Sequence, residues 1–81
     1  MENSEATDAK LVKLGLNIQY YRKLRKMSQE NLSEKSGISI AVIGRIEAAN
    51  ISSNPTMVTI FKIADALDVT PKTLFDFKDD N

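Results

Sequence analysis

Few side chains in this sequence can do covalent or metal chemistry. It has neither cysteine nor histidine, which excludes disulfides, thiolate and imidazole metal sites, and the usual general base for a serine nucleophile. The carboxylates Glu30, Glu34, Asp65 and Asp68 show no convergent spacing for a metal or an acid–base pair and read as surface. What remains is polar and charged recognition: the basic run Arg22, Lys23, Arg25, Lys26, a lone Arg45, and Ser28, Gln29 and Ser39 where helices start. Guanidinium groups and the orphan N–H groups of a helix N-terminus both suit anions. Such groups bind rather than react, so no enzyme, metal or cofactor is expected.

Helices position these groups. Leu11, Leu14, Ile18 and Tyr21 recur at three- and four-residue steps, predicting a first helix over about 9–26 with bases gathered in its last turn. Ser28 caps a second, with Gln29 and Glu30 in its first turn and Asn31 at the third position. Gly37 sits where the chain leaves that helix, and Ser39 caps a third running to about Ala48. The turn Ser36-Gly37-Ile38-Ser39 is too tight for antiparallel packing and predicts helices crossing steeply. Leu32 faces inward, small Ser33 permits a close crossing, Ile38 plugs the junction, and Ile43 and Ile46 anchor the third helix. A fourth helix is expected from Asn54 as cap and Pro55 at its first position, with Met57, Ile60, Ile63, Ala64 and Leu67 inward. Thr70-Pro71 repeats the device for a fifth helix, Lys72 to about Phe77. The fold class is therefore all-α, a compact five-helix bundle with a helix-turn-helix at helices two and three. Its domain is expected at 10–77, between a disordered acidic tail at 1–9 and a tail at 78–81.

Formal net charge is zero and the pI near 6.2, which taken whole argues against a nucleic-acid partner. By segment the balance differs: −3 over residues 1–9, +5 over 10–75 and −2 over 76–81. The folded part is basic and the ends are acidic, so neutrality does not exclude DNA. The apolar runs fall far short of a membrane span and the polar start, Met1-Glu2-Asn3-Ser4-Glu5, is no signal peptide, so a cytoplasmic location is expected.

The stretch LGLNIQYYRKLRKMSQENLSEKSGISIAVIGRIE, followed by NPTMVTIFKIADALDVTPKTLF, resembles the Cro/C1-type (XRE-like) helix-turn-helix repressor family over residues 14–75. The resemblance implies a sequence-specific DNA-binding transcriptional regulator that binds a palindromic operator on double-stranded DNA as a homodimer. It places Ser39, Ile40, Ala41, Gly44 and Arg45 on the reading side of the third helix, residues 39–48. Ser28, Gln29, Lys23, Lys26, Asn50 and Ser52 are the phosphate candidates, and Arg22 with Glu47 matches the family's buried salt bridge. The basic run is otherwise a solvated face, and Tyr20 and Tyr21 are read as core and rim.

Several residues depart from the family pattern. Ile40 and Ala41 stand where polar readers are common and can press only on thymine methyls. Arg45 is then the one strong reader, suited to guanine. Lys26 and Asp68 stand where glycines are usual, so these helix ends require left-handed residues or another exit. The loop after the third helix lacks its usual glycine and bases. Ile51, Val58, Phe75 and Phe77 are candidate dimer contacts, with Phe61 beside them; the alternative is that Phe75 closes the core and the others are scattered exposure. No small-molecule ligand or effector domain is expected. A stand-alone repressor, a restriction–modification controller and an antitoxin all fit this size. The competing reading is a protein-interaction module of the same fold with weak or no DNA binding.

Overall fold

The computed structural model describes residues 4–48 and 54–77. They form five helices: α1 (Ser4–Leu24), α2 (Gln29–Ser36), α3 (Ile40–Glu47), α4 (Met57–Leu67) and α5 (Pro71–Leu74). No strand occurs among the described residues, and the all-α expectation holds. Leu14, Ile18, Leu32, Ile43, Ile46, Ile60, Ile63, Ala64, Ala66, Leu67 and Leu74 make one buried core drawn from all five helices.

The cap residues set most boundaries. The Ser28 hydroxyl accepts the Asn31 N–H while the Asn31 side chain accepts the Ser28 N–H, a reciprocal capping box. Gly37 leaves α2 at φ 78°, its N–H bonded to the Ser33 carbonyl. Ser39 caps α3 by accepting the Val42 N–H, and Thr70 caps α5 with Pro71 at its start.

Three boundaries differ from the sequence expectation. First, α1 begins at Ser4 rather than near residue 9. Nothing in Glu5-Ala6-Thr7-Asp8-Ala9 breaks a helix, and Glu5 in the first turn complements its dipole, so much of the expected acidic tail is helical. Second, Thr56 rather than Asn54 caps α4, because its hydroxyl reaches the Thr59 N–H at 3.1 Å. Pro55 therefore lies outside that helix, and Met57, expected inward, is 51% exposed at its first turn. Third, α5 stops at Leu74, which closes the core, leaving Phe75 39% exposed.

The two missing glycines do not change the exits. Lys26 and Asp68 adopt φ of 58° and 59°. Each sits in a Schellman turn: the Met27 N–H bonds to the Arg22 carbonyl, and the Val69 N–H to the Ala64 carbonyl. Arg25 reinforces the second by donating to the Leu67 and Asp68 carbonyls at 2.9 and 3.2 Å. At Gly15 the need is close approach. It is buried where α1 meets α3, and a side chain there would run into the Ile46 backbone carbonyl.

Two substitutions separate these demands. Gly37→Ala meets no atom that would clash, so only its backbone conformation should matter, with a loss of about 1–2 kcal/mol. Lys26→Gly relieves the same strain at another helix end but loosens the unfolded chain, and should be neutral or stabilising by up to about 1 kcal/mol. Urea denaturation of both variants checks the opposite signs.

Candidate nucleic-acid interface

Helices α2 and α3 are joined at their crossing by one polar cluster. Arg22, on α1, donates from Nε to Glu47 Oε2 at 2.7 Å and from Nη2 to Oε1 at 2.8 Å, a bidentate pair. Both residues are buried, at 8% and 5% exposure. Arg22 also donates from Nη1 to the Met27 carbonyl at 2.7 Å, clasping the turn that leads into α2. Hydrogen bonding to Glu47 raises the Arg22 pKa against the opposing effect of burial, so the guanidinium stays charged. Among the described residues no buried side-chain nitrogen or oxygen lacks a partner. The structural salt bridge expected from the family is therefore present.

Gln29 joins this cluster rather than standing alone at the start of α2. Its Nε2 donates to Glu47 Oε1 at 3.1 Å, and its Oε1 lies beside Gly44, 3.8 Å from where a side chain would begin. The α2 N-terminus, with its orphan N–H groups, is thereby held next to the middle of α3. This arrangement sets the start of α2 beside the outward face of α3.

Helix α3 divides cleanly by face. Ile43 and Ile46 are buried and Val42 packs on the core. Ser39, Ile40, Ala41 and Arg45 are exposed, Ile40 at 44%, and Gly44 is half-buried against Gln29. The five expected reading residues are thus brought to the side away from the core or to the α2 junction. Their chemistry is uneven: Arg45 offers donors to a base edge, Ile40 and Ala41 only apolar contact.

The phosphate candidates separate. Ser28 and Gln29 share the α2 terminus, and Lys26 lies in the turn just before it. Lys23 instead lines a groove with Leu16, Gln19, Tyr20 and Leu24 on the outer side of α1. Asn50, Ser52 and the dimer candidate Ile51 lie outside the described residues. Of the remaining dimer candidates, Val58 is 59% exposed on α4 between exposed Met57 and Phe61. Phe77 is turned to the rim of the core, 6.3 Å from the Phe75 ring.

Three supporting residues go beyond the sequence reading, which gives Gly15 and Asn17 no role and takes Arg25 as part of a solvated basic face. Gly15 allows the α1–α3 approach, Asn17 donates to the Leu74 carbonyl at 2.8 Å at the end of α5, and Arg25 holds the end of α4. Gly15 follows the inward-facing Leu14, a position where a missing side chain signals close packing. Asn17 and Arg25 act across 57 and 42 residues of chain and leave no local signature.

Among the described residues there is no group of three or more acidic, histidine or cysteine side chains able to hold a metal ion. No described helix is long and apolar enough to cross a membrane.

Comparison with known proteins agrees with this geometry. The helix-turn-helix family matches residues 18–74. The HTH-type transcriptional regulator SinR of Bacillus licheniformis is 34% identical over 67 residues, covering 83% of this chain and 60% of that protein. SinR of Bacillus subtilis is 35% identical over 65 residues, covering 80% of this chain and 58% of that protein. The chain therefore spans about three fifths of the length of these relatives. The crystal structure of the restriction-modification controller protein C.AhdI from Aeromonas hydrophila superposes with a TM-score of 0.77 at 37% identity, covering 83% of this chain and 98% of that chain.

The Ser39 hydroxyl accepts the Val42 N–H at 3.2 Å, so it shapes the start of α3 before any DNA is bound. Ser39→Ala should cost about 1 kcal/mol of stability and Ser39→Gly only a few tenths. Thermal and urea denaturation without DNA check the difference.

Proposed function

The chain belongs to the Cro/C1-type helix-turn-helix family, and from that premise we propose that it is a sequence-specific DNA-binding transcriptional regulator. The observation that carries this reading is the Arg22–Glu47–Gln29 cluster, which fixes the α2 terminus beside α3 while Ile40, Ala41 and Arg45 remain outward. In this account α3 enters the major groove. Arg45 reads a guanine, Ile40 and Ala41 press on thymine methyls, and Ser39 and Gly44 let the backbone approach. Ser28, the α2 N–H groups and Lys26 hold phosphates.

Two copies would meet across the exposed apolar side of α4, with Met57, Val58 and Phe61, together with Phe75. Two-fold symmetry then matches a palindromic operator whose half-sites lie about 34 Å apart. Repression follows where that operator overlaps a promoter. The apolar character of Ile40 and Ala41 favours one second reading, a protein-interaction module on the same scaffold.

Binding to the DNA upstream of its own gene, measured at two salt concentrations, tests the proposal. Specific binding should weaken as salt rises. Arg45→Ala should cost about 1–3 kcal/mol of specific affinity and relax preference at one base pair per half-site, with little change in non-specific binding. Equal affinity for unrelated DNA at both salt concentrations, or none at all, would favour the interaction module.

A further inference from the structure

The outward face of α3 has a gap that a side chain of α2 borders. Ile40 with Gly44, and Ala41 with Arg45, are four-residue pairs and so form two adjoining rows. Ile40, Ala41 and Arg45 are exposed, while Gly44 contributes no side chain. Packing does not demand a glycine there. Gly44 has no left-handed φ, and a side chain would meet only Gln29 Oε1, at an ordinary contact distance of 3.8 Å. Glycine in a helix interior lowers stability, so the gap does nothing for the folded protein by itself.

What the gap uncovers is an oriented carboxamide. The Glu47 carboxylate, paired with Arg22 through two bonds, accepts hydrogen bonds and donates none. The edge of Gln29 that faces it must therefore be the amino edge, and Nε2 donates to Glu47 Oε1 at 3.1 Å. The carbonyl Oε1 is thereby turned toward the gap at Gly44. No donor among the described residues reaches this oxygen. No buried side-chain oxygen among them lacks a partner, so Oε1 stands open to solvent.

We propose that Gln29 Oε1 is a base reader, a hydrogen-bond acceptor that takes the place of a side chain at position 44. This inference rests on the DNA-reading function and adds a specificity-determining residue to it. A carbonyl oxygen is unsuited to phosphate, whose oxygens also accept. In the major groove it fits the exocyclic amino groups of adenine and cytosine, whereas the keto oxygens of guanine and thymine are acceptors and repel it. Gln29 then sorts adenine or cytosine from guanine or thymine on one strand. Arg45, on the neighbouring row, supplies donors for the opposite choice, so acceptor and donor read different base pairs.

The probe is a pool of double-stranded DNA with a random centre of about 20 base pairs, close to two helical turns. Selection with the full chain should enrich a motif in which one position admits adenine or cytosine over guanine or thymine by about tenfold. Gln29→Met keeps the length of the side chain and leaves both Arg22–Glu47 bonds in place. It should melt near the parent and lose the preference at that position alone. The parent protein gives a second readout that needs no variant. Replacing the preferred base by its analogue without the exocyclic amino group should weaken binding about tenfold. Retention of the preference in Gln29→Met, or unchanged binding of the parent to the amino-free DNA, would overturn this inference alone. So would a uniform loss across all sequences in Gln29→Met, which would mark Gln29 as a phosphate contact through its second Nε2 hydrogen. A pool in which the parent enriches no sequence would overturn the DNA-reading function together with it.

Discussion

A single buried ion pair sets the relation among the three helices that matter most. Arg22 belongs to α1 and Glu47 ends α3, and Gln29 carries the network to the start of α2. Taking both charges from water is expensive, and a well-packed apolar pair could give equal or greater stability. What the pair supplies is direction. Two parallel hydrogen bonds of 2.7 and 2.8 Å permit one orientation of guanidinium and carboxylate, whereas apolar packing tolerates several. Gly15 complements it by letting the α1 and α3 backbones approach closely. The apolar residues Ile43 and Ile46 bury α3, and the ion pair determines how it is presented.

Much of this arrangement was legible in the sequence, for local reasons. Ser28 with Asn31, Gly37, Ser39 and Thr70-Pro71 act within a few residues of themselves, and each formed the cap or turn its chemistry suggests. The misreadings arose where two local signals competed. Asn54-Pro55 and Thr56 both offer a start for α4, and the Thr56–Thr59 hydroxyl pairing decides in favour of the later one. Met57 fits the apolar period of α4 but falls in its first turn, beyond the reach of the core. At the other extreme, Asn17 and Arg25 cap helices distant in sequence, a relation that no periodicity records. The Arg22–Glu47 pair was legible only through family resemblance, because 25 residues of chain separate its members.

The charge distribution acquires a structural meaning as well. Zero net charge conceals a basic middle and acidic ends, and the bases have several occupations. Arg22 is buried in the ion pair and Arg25 holds the end of α4. Lys23 lines the outer groove of α1, while Lys26 and Arg45 stand near the α2–α3 junction. Of these five cations, only Lys26 and Arg45 are placed beside the α2–α3 junction.

The central claim is that Arg22 and Glu47 act as one unit. A double-mutant cycle of Arg22→Met, Glu47→Leu and their combination, followed by urea denaturation, tests it directly. Each single change leaves a buried charge without its partner and is predicted to cost about 3–5 kcal/mol, while the double change, which removes both charges, should cost less than the two together by at least about 2 kcal/mol. Single losses that simply add up to the double loss would contradict the account, because the two side chains would then be contributing independently.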